Sequence, residues 1–172
     1  CDWSSDVCSS DLAEAVLRDR EGRLLHAFLN DDEQWCFPRE YEDFSPRLVQ
    51  ATIAVEDQRF FRHPGVDPIA AIRAFLQNLR QRRIVSGAST LTMQTVKFAH
   101  RDSRSISGKL AQVFEALRLD FHARKEEILC AYLNRAPYGL NIVGAEAASR
   151  RYFGKPAAEL TLREAALLAG IP

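Results

Sequence analysis

The chain has 172 residues, of which 47% are hydrophobic and 27% charged, so it is long enough to bury a core and is not a disordered segment. Its 23 basic and 23 acidic side chains cancel, which excludes a protein that is strongly basic or acidic throughout. No run of about 18 apolar residues occurs, and we predict no transmembrane helix within this sequence.

The first twelve residues match nothing in the rest of the chain, and we interpret residues 1–12 as a non-native leader of the kind that a translated sequencing adapter produces. No secretory signal is visible. Cys36 and Cys130, the cysteines outside this leader, show neither C-x-x-C spacing nor a zinc pattern with the four histidines. We therefore predict no metal site from the cysteines.

Residues 13–44 are predicted to form an N-terminal hairpin and a linker. Apolar segments at 16–17 and 24–28 flank a charged turn, as in a β-hairpin. The stretch from residue 30 to residue 41 is polar and contains Pro38, which predicts a linker.

A helix is predicted from Ser45 onward, because an N-cap serine is followed by a proline at the first helical position. One stripe of it is predicted to continue, at spacings of four, three, four and three, through Val49, Ile53, Glu56, Phe60 and His63. Partial desolvation would make the Glu56 carboxylate a better proton acceptor, as general-base work requires. The alternatives are a buried structural acid or a solvated rim residue for Glu56, and a satisfied core histidine for His63.

A second cap, Asp67-Pro68, predicts a helix over residues 69–83. This segment has an apolar surface that contains Ile69, Ile72, Phe75, Leu76 and Leu79, and its polar side ends in arginines. Such a helix suits a membrane interface, although core packing is the more common explanation of an apolar face.

The remaining elements are also predicted to be helical. Apolar periodicity predicts helices over 91–99, 109–121, 125–133 and 165–169, the last of them opened by a capping box at Thr161–Glu164. One apolar face of the 109–121 helix is expected to comprise Leu110, Val113, Phe114, Leu117 and Phe121. Small residues allow close helix contact at Gly144, Ala145, Ala147 and Ala148.

Positive charge is concentrated between Pro68 and Lys109. This segment has eight basic side chains and one acidic side chain, Asp102, so its net charge is +7. Such a segment favours an anionic partner, namely a phosphate, a membrane surface or nucleic acid, and a solvated basic face is the alternative.

Small and hydroxyl residues at 86–90 directly precede the predicted 91–99 helix. Free backbone N–H groups and hydroxyls at a helix start bind anions, and Lys97 can share a face with Gln94. This arrangement suits a pyrophosphate, and a capped loop without a ligand is the alternative.

Three ordered motifs resemble those of the peptidoglycan glycosyltransferase family, the transglycosylases of class A penicillin-binding proteins. E-D-Q-R-F-F-R-H-P-G at 56–65 resembles its motif E-D-x-x-F-x-x-H-x-G, and G-A-S-T-L-T-M-Q at 87–94 resembles G-x-S-T-x-T-Q-Q. K-E-E-I-L-C-A-Y-L-N at 125–134 resembles K-x-x-I-L-x-x-Y-L-N. The similarity runs from about Leu24 to Pro172.

The chain departs from the family pattern at two motifs, in ways that are similar to the type 1C subgroup. Met93 stands where most members have a glutamine. Gly108 and Gln112 replace the arginine and the second glutamate of the family motif R-K-x-x-E. Since a neutral amide cannot act as an acid or base, Gln112 would leave Glu56 as the sole catalytic carboxylate.

The resemblance implies a mostly α, lysozyme-like fold with a small membrane-facing lobe, in which residues 45–172 form a C-terminally truncated glycosyltransferase domain. It also implies polymerisation of lipid II into β-1,4 glycan by inverting transfer, with Glu56 as the general base. Asp57, His63 and Gln112 would support this site. The donor pyrophosphate would be bound by Ser89, Thr90, Gln94, Lys97, Arg104 and Lys109.

The implied partners are lipid II, the growing glycan strand, the membrane surface and other cell-wall synthesis proteins. Nucleic acid is not expected, because no aromatic residues interleave with the basic ones. A divalent cation, Mg²⁺ or Mn²⁺, is compatible with a pyrophosphate, although no protein ligand set in the sequence predicts one. The implied location is the periplasmic face of a bacterial cytoplasmic membrane, with the anchor missing from this chain.

Two other functions remain open at this point. One is a lysozyme-like enzyme that cleaves glycan, but a neutral glycan does not need the basic segment or the 86–94 loop. The other is a non-catalytic membrane scaffold, which the replacement of the second family glutamate by Gln112 would favour.

Overall fold

The computed structural model describes residues 16–21, 24–27, 29–30, 33–81, 89–99 and 106–172. The helices of that part are α1 (Pro46–Glu56), α2 (Pro68–Gln81), α3 (Leu91–Ala99), α4 (Ile106–His122), α5 (Lys125–Arg135), α6 (Ala145–Phe153) and α7 (Leu162–Ala169). Its strands are β1 (Val16–Arg18), β2 (Leu24–Ala27), β3 (Trp35–Cys36) and β4 (Ile142–Val143). The prediction of a mostly α protein is confirmed.

The N-terminal hairpin is present, because β1 pairs antiparallel with β2. The interpretation of residues 30–41 as a linker missed strand β3, which pairs in parallel with β4. Cys36 and the following Phe37 are buried. A strand of two residues is too short for alternation to be visible in a sequence, which explains the omission.

Helix α1 begins as predicted, since the Ser45 hydroxyl accepts a hydrogen bond from the Arg47 N–H and Pro46 stands at its first position. The predicted stripe is wrong beyond Glu56, because Asp57 leaves the helical conformation with φ −158° and ψ 79°. Phe60 lies in a short 3₁₀ turn and His63 follows that turn, yet both are buried. Their spacing therefore reflected burial in the core and not one continuous helix.

The later helices agree with the sequence prediction in type and approximate extent. Helix α3 spans the predicted residues, and α4 and α5 are a few residues longer than predicted. Helix α2 is observed from Pro68 to Gln81. Residues 82–83 of the predicted helix, residues 86–88 of the predicted anion-binding segment, the leader and Arg104 lie outside the described residues.

The core is centred on α5, which packs against α3 and α4, while α1 packs against α7. Ile128, Leu129 and Leu133 of α5 are fully buried, and each contributes about 1.5–3 kcal/mol through removal of its side chain from water. Gly144 lies at the start of α6 with φ 86°, and a Cβ there would approach the Asn134 carbonyl oxygen to 2.8 Å. The expected close helix contact is therefore confirmed at Gly144.

Helices α4 and α2 each expose a row of large apolar residues among those described. The predicted apolar face of α4 is largely exposed, because Leu110, Phe114, Leu117 and Phe121 are solvent-accessible, whereas its buried residues include Gln112, Ala116 and Leu119. Helix α2 likewise exposes Ile69, Ile72, Leu76 and Leu79, while Ala74 is buried. No helix in the described ranges is long and apolar enough to cross a membrane.

The capping box of α7 predicts an acid-sensitive contribution to stability. Lys155 first, and then Thr161, hold the pKa of Glu164 at about 2, below its ordinary value of 4.5. Because the folded pKa is depressed, this stabilisation is present above about pH 4.5 and is lost as the pH falls towards 2. We expect the thermal unfolding midpoint of Glu164→Gln to fall less than that of the wild type over this interval. Glu159→Gln is the control, and identical pH profiles for wild type and Glu164→Gln would contradict the assignment.

Candidate active site

Glu56 is the last residue of α1, and its side chain is partly buried. The Gln94 amide on α3 donates a hydrogen bond to Oε2 of Glu56, with an Nε2 to Oε2 distance of 2.7 Å. The structure therefore brings together two predicted site residues that are 38 positions apart in the chain. This hydrogen bond orients the carboxylate and connects α1 with α3.

Asp57 and His63 form a buried pair beside Glu56. The His63 Nε2 atom lies 3.0 Å from both carboxylate oxygens of Asp57. The Asp57 Oδ2 atom also accepts the backbone N–H of Leu91, the first residue of α3, at 3.1 Å. Asp57 thus anchors the start of α3 to the segment after α1, and the supporting role of this pair in catalysis stays a prediction.

Thr90 immediately precedes α3, and its hydroxyl is committed to the protein backbone. Its Oγ1 atom donates to the Gly65 carbonyl at 2.5 Å and accepts the Met93 N–H at 3.2 Å. The side chain is buried. The sequence predicted a pyrophosphate contact for Thr90, whereas the observed hydroxyl caps α3 and connects it to Gly65.

Lys109 projects from α4 towards Ser89, with 3.1 Å between its ammonium nitrogen and the Ser89 hydroxyl oxygen. It also donates to Oε1 of Gln112 at 2.9 Å. Burial, and then the positive charge of Lys97, lower the pKa of Lys109. Lys97 is exposed, and its effect on Lys109 shows that two cations of the predicted pyrophosphate site lie within electrostatic reach of each other.

Gln112 is buried and uses both ends of its amide. Its Nε2 atom donates to the Met93 carbonyl at 2.7 Å, while its Oε1 atom accepts from Lys109. An ionised carboxylate could accept from Lys109 but could not donate to a carbonyl. The amide therefore connects α4 to α3 and orients Lys109, a role that the sequence did not reveal.

A cavity of about 330 Å³ adjoins the Glu56 carboxylate. Its lining contains predicted site residues together with charged residues that the sequence analysis did not select, and the charged and hydroxyl members are Glu56, Asp57, Arg59, Asp67, Arg73, Ser89 and Thr90. Arg59 lies inside the first motif, and Arg73 belongs to the basic segment. Both could therefore have been selected as site residues from the sequence.

Asp57, His63 and Asp67 place one potential ligand atom each within 4.8 Å of one another. These groups do not fit a resident cation. Asp67 accepts the backbone N–H groups of Ile69 and Ala70 and lies 3.4 Å from the Arg59 guanidinium. Although burial opposes it, the Ala70 N–H and the Arg59 charge lower the pKa of Asp67. Each carboxylate thus already binds backbone N–H groups at the start of a helix and one basic side chain. Asp57 does so at α3 and with His63, and Asp67 at α2 and with Arg59.

Comparison with known proteins agrees with the motifs. The family described as Transglycosylase matches residues 21–172 of this chain. Penicillin-binding protein 1C of Escherichia coli (strain K12) is 44% identical over 153 residues, which cover 89% of this chain and 20% of the relative. Penicillin-binding protein 2D of Bacillus subtilis (strain 168) is 44% identical over 132 residues, which cover 76% of this chain and 19% of the relative.

A shorter relative matches a larger share of its own length. The biosynthetic peptidoglycan transglycosylase of Salmonella arizonae is 44% identical over 131 residues, which cover 76% of this chain and 54% of the relative. The chain thus spans about a fifth of the two penicillin-binding proteins and about half of this relative.

Proposed function

We propose, because this chain belongs to the transglycosylase family, that it polymerises lipid II into β-1,4 glycan strands by inverting glycosyl transfer. The observation that carries the proposal is the Glu56 carboxylate, held by Gln94 beside a polar cavity. The names of the relatives, which include a biosynthetic peptidoglycan transglycosylase, support the same class of reaction.

Glu56 acts as the general base in this proposal. It removes the proton from the acceptor 4-hydroxyl as that oxygen attacks C1 of the donor sugar, and the bond from C1 to the pyrophosphate oxygen breaks. General-base catalysis requires the carboxylate within hydrogen-bond reach of the hydroxyl. Because Gln112 is an amide that already uses both ends, Glu56 performs the proton transfer without a second carboxylate at that position.

The leaving group is undecaprenyl pyrophosphate, and Lys109, Lys97 and Ser89 form its binding surface. Fixed positive charge lowers the barrier by stabilising the negative charge that develops on the leaving oxygen. The lowered pKa of Lys109 supports this role. Its partial burial and the charge of Lys97 both disfavour the protonated ammonium group, and a bound anion would offset that cost. Gln94 and Arg104 complete the proposed set, and Arg104 is placed there by its sequence position alone.

A membrane surface is the proposed source of this lipid substrate. Helix α2 exposes a row of large apolar residues, and Arg73 and Arg80 on the same helix are also exposed. Apolar and basic residues together favour contact with an anionic bilayer. We therefore place the chain at the periplasmic face of the cytoplasmic membrane, where cell-wall synthesis proteins are its potential partners.

Replacement of Lys109 by methionine tests the pyrophosphate surface. We expect kcat/KM for lipid II to fall by about tenfold to a hundredfold, because a preorganised charge at the leaving group is lost. The assay follows glycan products from labelled lipid II on gels. Arg118→Met, which removes an exposed cation from the same helix, should retain activity. Unchanged kinetics of Lys109→Met would remove this residue from the proposed surface.

Glycan cleavage is the competing reaction, and the same assay distinguishes it. Incubation of the chain with purified, uncrosslinked glycan should leave the chain-length distribution unchanged, whereas incubation with lipid II should create longer strands. Shortening of the glycan without polymer formation from lipid II would replace transfer by cleavage. Neither activity in a folded chain would favour the non-catalytic scaffold.

A further inference from the structure

One exposed arginine of α2, Arg73, lines two adjacent cavities. The first is the cavity of about 330 Å³ that adjoins Glu56. The second is a groove of about 470 Å³ along α2, which Arg73 lines together with Leu76, Gln77, Arg80 and Gln81. Because the same side chain borders both spaces, a ligand seated at Glu56 can extend past Arg73 into the groove.

Most charges that line the Glu56 cavity are already compensated. The Arg59 guanidinium lies 3.4 Å from the Asp67 carboxylate, and the Asp57 carboxylate is bound at the start of α3. Within the described part of the chain, neither Glu56 nor Arg73 has an ion-pair partner. An uncharged polar group such as a sugar is compatible with this cavity, with one carboxylate for its hydroxyl and one cation at the border of the groove.

The groove along α2 presents donors that suit phosphate. Arg73, Gln77 and Arg80 follow one another at spacings of four and three residues, so they share one face of the helix. All three are exposed. Arg80 lies about 10 Å beyond Arg73 along the axis, at 1.5 Å per residue, and their long side chains can reach one pyrophosphate between them. Guanidinium groups bind phosphate oxygens through paired N–H donors, and the Gln77 amide adds a donor between the two arginines.

The reaction involves two pyrophosphates, and the lysine surface accounts for one of them. Lipid II is a disaccharide-peptide on undecaprenyl pyrophosphate. The donor loses its pyrophosphate, whereas the acceptor keeps its own, at the opposite end of the disaccharide from the attacking 4-hydroxyl. Lys97 and Lys109 are among the described lining residues of neither cavity. The acceptor's pyrophosphate therefore needs cations other than those assigned to the leaving group.

We propose that Arg73, Gln77 and Arg80 form a second phosphate subsite, which binds the pyrophosphate of the acceptor while the acceptor's sugars occupy the cavity at Glu56. The inference rests on the proposed function, because it assigns a subsite to the acceptor of that reaction. Leu76 and Leu79 are exposed on the same helix and offer an apolar surface to the acceptor's lipid chain. The subsite thus favours an acceptor that carries a lipid pyrophosphate over a glycan that lacks one.

The test restricts the reaction to a single transfer between distinct substrates. The labelled donor is lipid II blocked at its own 4-hydroxyl, and the acceptor is a lipid II analogue with CH₂ in place of the anomeric oxygen, which cannot donate. In neutral detergent without phospholipid, we expect Arg73→Met and Arg80→Met each to raise KM for this acceptor by about tenfold, because a charge-assisted contact with phosphate is lost. KM for the donor should stay unchanged. The disaccharide-peptide without pyrophosphate should react equally well with wild type and both variants.

Arg62→Met is the matched control, because Arg62 is exposed shortly before α2 and lines neither cavity. Unchanged acceptor KM values in both α2 variants would overturn the inference, as would an equal rise in Arg62→Met or with the disaccharide-peptide. A rise that requires added vesicles of anionic phospholipid would assign these arginines to bulk membrane phosphate instead. Failure of the folded wild type to transfer at all would overturn the proposed function itself, whereas normal transfer by wild type and both variants would overturn this inference alone.

Discussion

Glu56→Gln is expected to abolish processive polymerisation of lipid II, with kcat reduced by about 10²–10⁴-fold. The glutamine has nearly the same size as the glutamate, and its amide oxygen can still accept the hydrogen bond that Gln94 donates. It cannot take a proton from the acceptor hydroxyl. The loss should therefore appear in kcat with little change in the affinity for lipid II or in thermal stability.

The measurement compares initial rates of glycan synthesis by wild type and Glu56→Gln at several lipid II concentrations. Glu159→Gln, which changes an exposed glutamate in the turn before α7, is the matched control. Polymer synthesis by Glu56→Gln at the wild-type rate would disprove the general-base assignment. A fall in thermal stability equal to that of a core mutation would instead show that Glu56 is a structural acid.

Gly65→Ala is expected to have the largest effect on folding, about 3–5 kcal/mol of unfolding free energy. Gly65 adopts φ 75°, and a Cβ there would lie 2.4 Å from the Ala116 carbonyl oxygen and 2.9 Å from its carbon. Both atoms belong to the backbone of α4, which cannot yield as a flexible side chain would. The substitution should also displace the Gly65 carbonyl that accepts from Thr90.

Gly154→Ala separates the cost of a positive φ from the cost of the clash between the new Cβ and α4. Gly154 also has a positive φ, 69°, but no atom lies within 4 Å of its ideal Cβ position. It should therefore lose only about 1 kcal/mol, the cost of the strained backbone conformation. Urea unfolding of the two variants measures the difference, and equal losses would show that the contact with α4 relaxes without cost.

The helices were predictable because their signals are local. Ser45-Pro46 and Thr161–Glu164 form the caps that their residue types indicate, and apolar periodicity identified α3 with its observed limits. The prediction of a helical stripe beyond Glu56 was wrong because a long-range hydrogen bond competes there with continuation of the helix. Asp57 follows the end of α1, and its carboxylate accepts a hydrogen bond from the backbone N–H of Leu91, 34 positions later in the chain. No local sequence pattern predicts a contact at that distance.

The sequence predicted which residues lie at the candidate site better than it predicted the hydrogen bonds that each of them makes. Motif spacing selected Glu56, Gln94 and Lys109, and the structure holds them through direct hydrogen bonds or shared neighbours. Hydrogen-bond roles were not predictable, because a hydroxyl or amide suits a ligand and a backbone group equally well. Thr90 caps a helix, and Gln112 connects a carbonyl to a lysine.

The apolar residues of α4 show a further limit of periodicity. Leu110, Phe114 and Phe121 follow helical spacing, yet their side chains are exposed in this chain. Periodicity reports that a face is apolar and does not report what covers it. The buried face instead includes Gln112, a polar residue that a hydrophobic pattern excludes.

The amide of Asn134 has a kinetic consequence. Its oxygen accepts the Arg39 N–H, and its nitrogen donates to the Arg39 carbonyl, across 95 positions of sequence. Closure of so long a loop loses chain entropy before contacts repay it, so such contacts slow folding. The bonds from Asp57 to His63 and from Gln94 to Glu56 span only 6 and 38 positions. We therefore expect the surroundings of Glu56 to assemble during folding before the N-terminal segment docks onto α5.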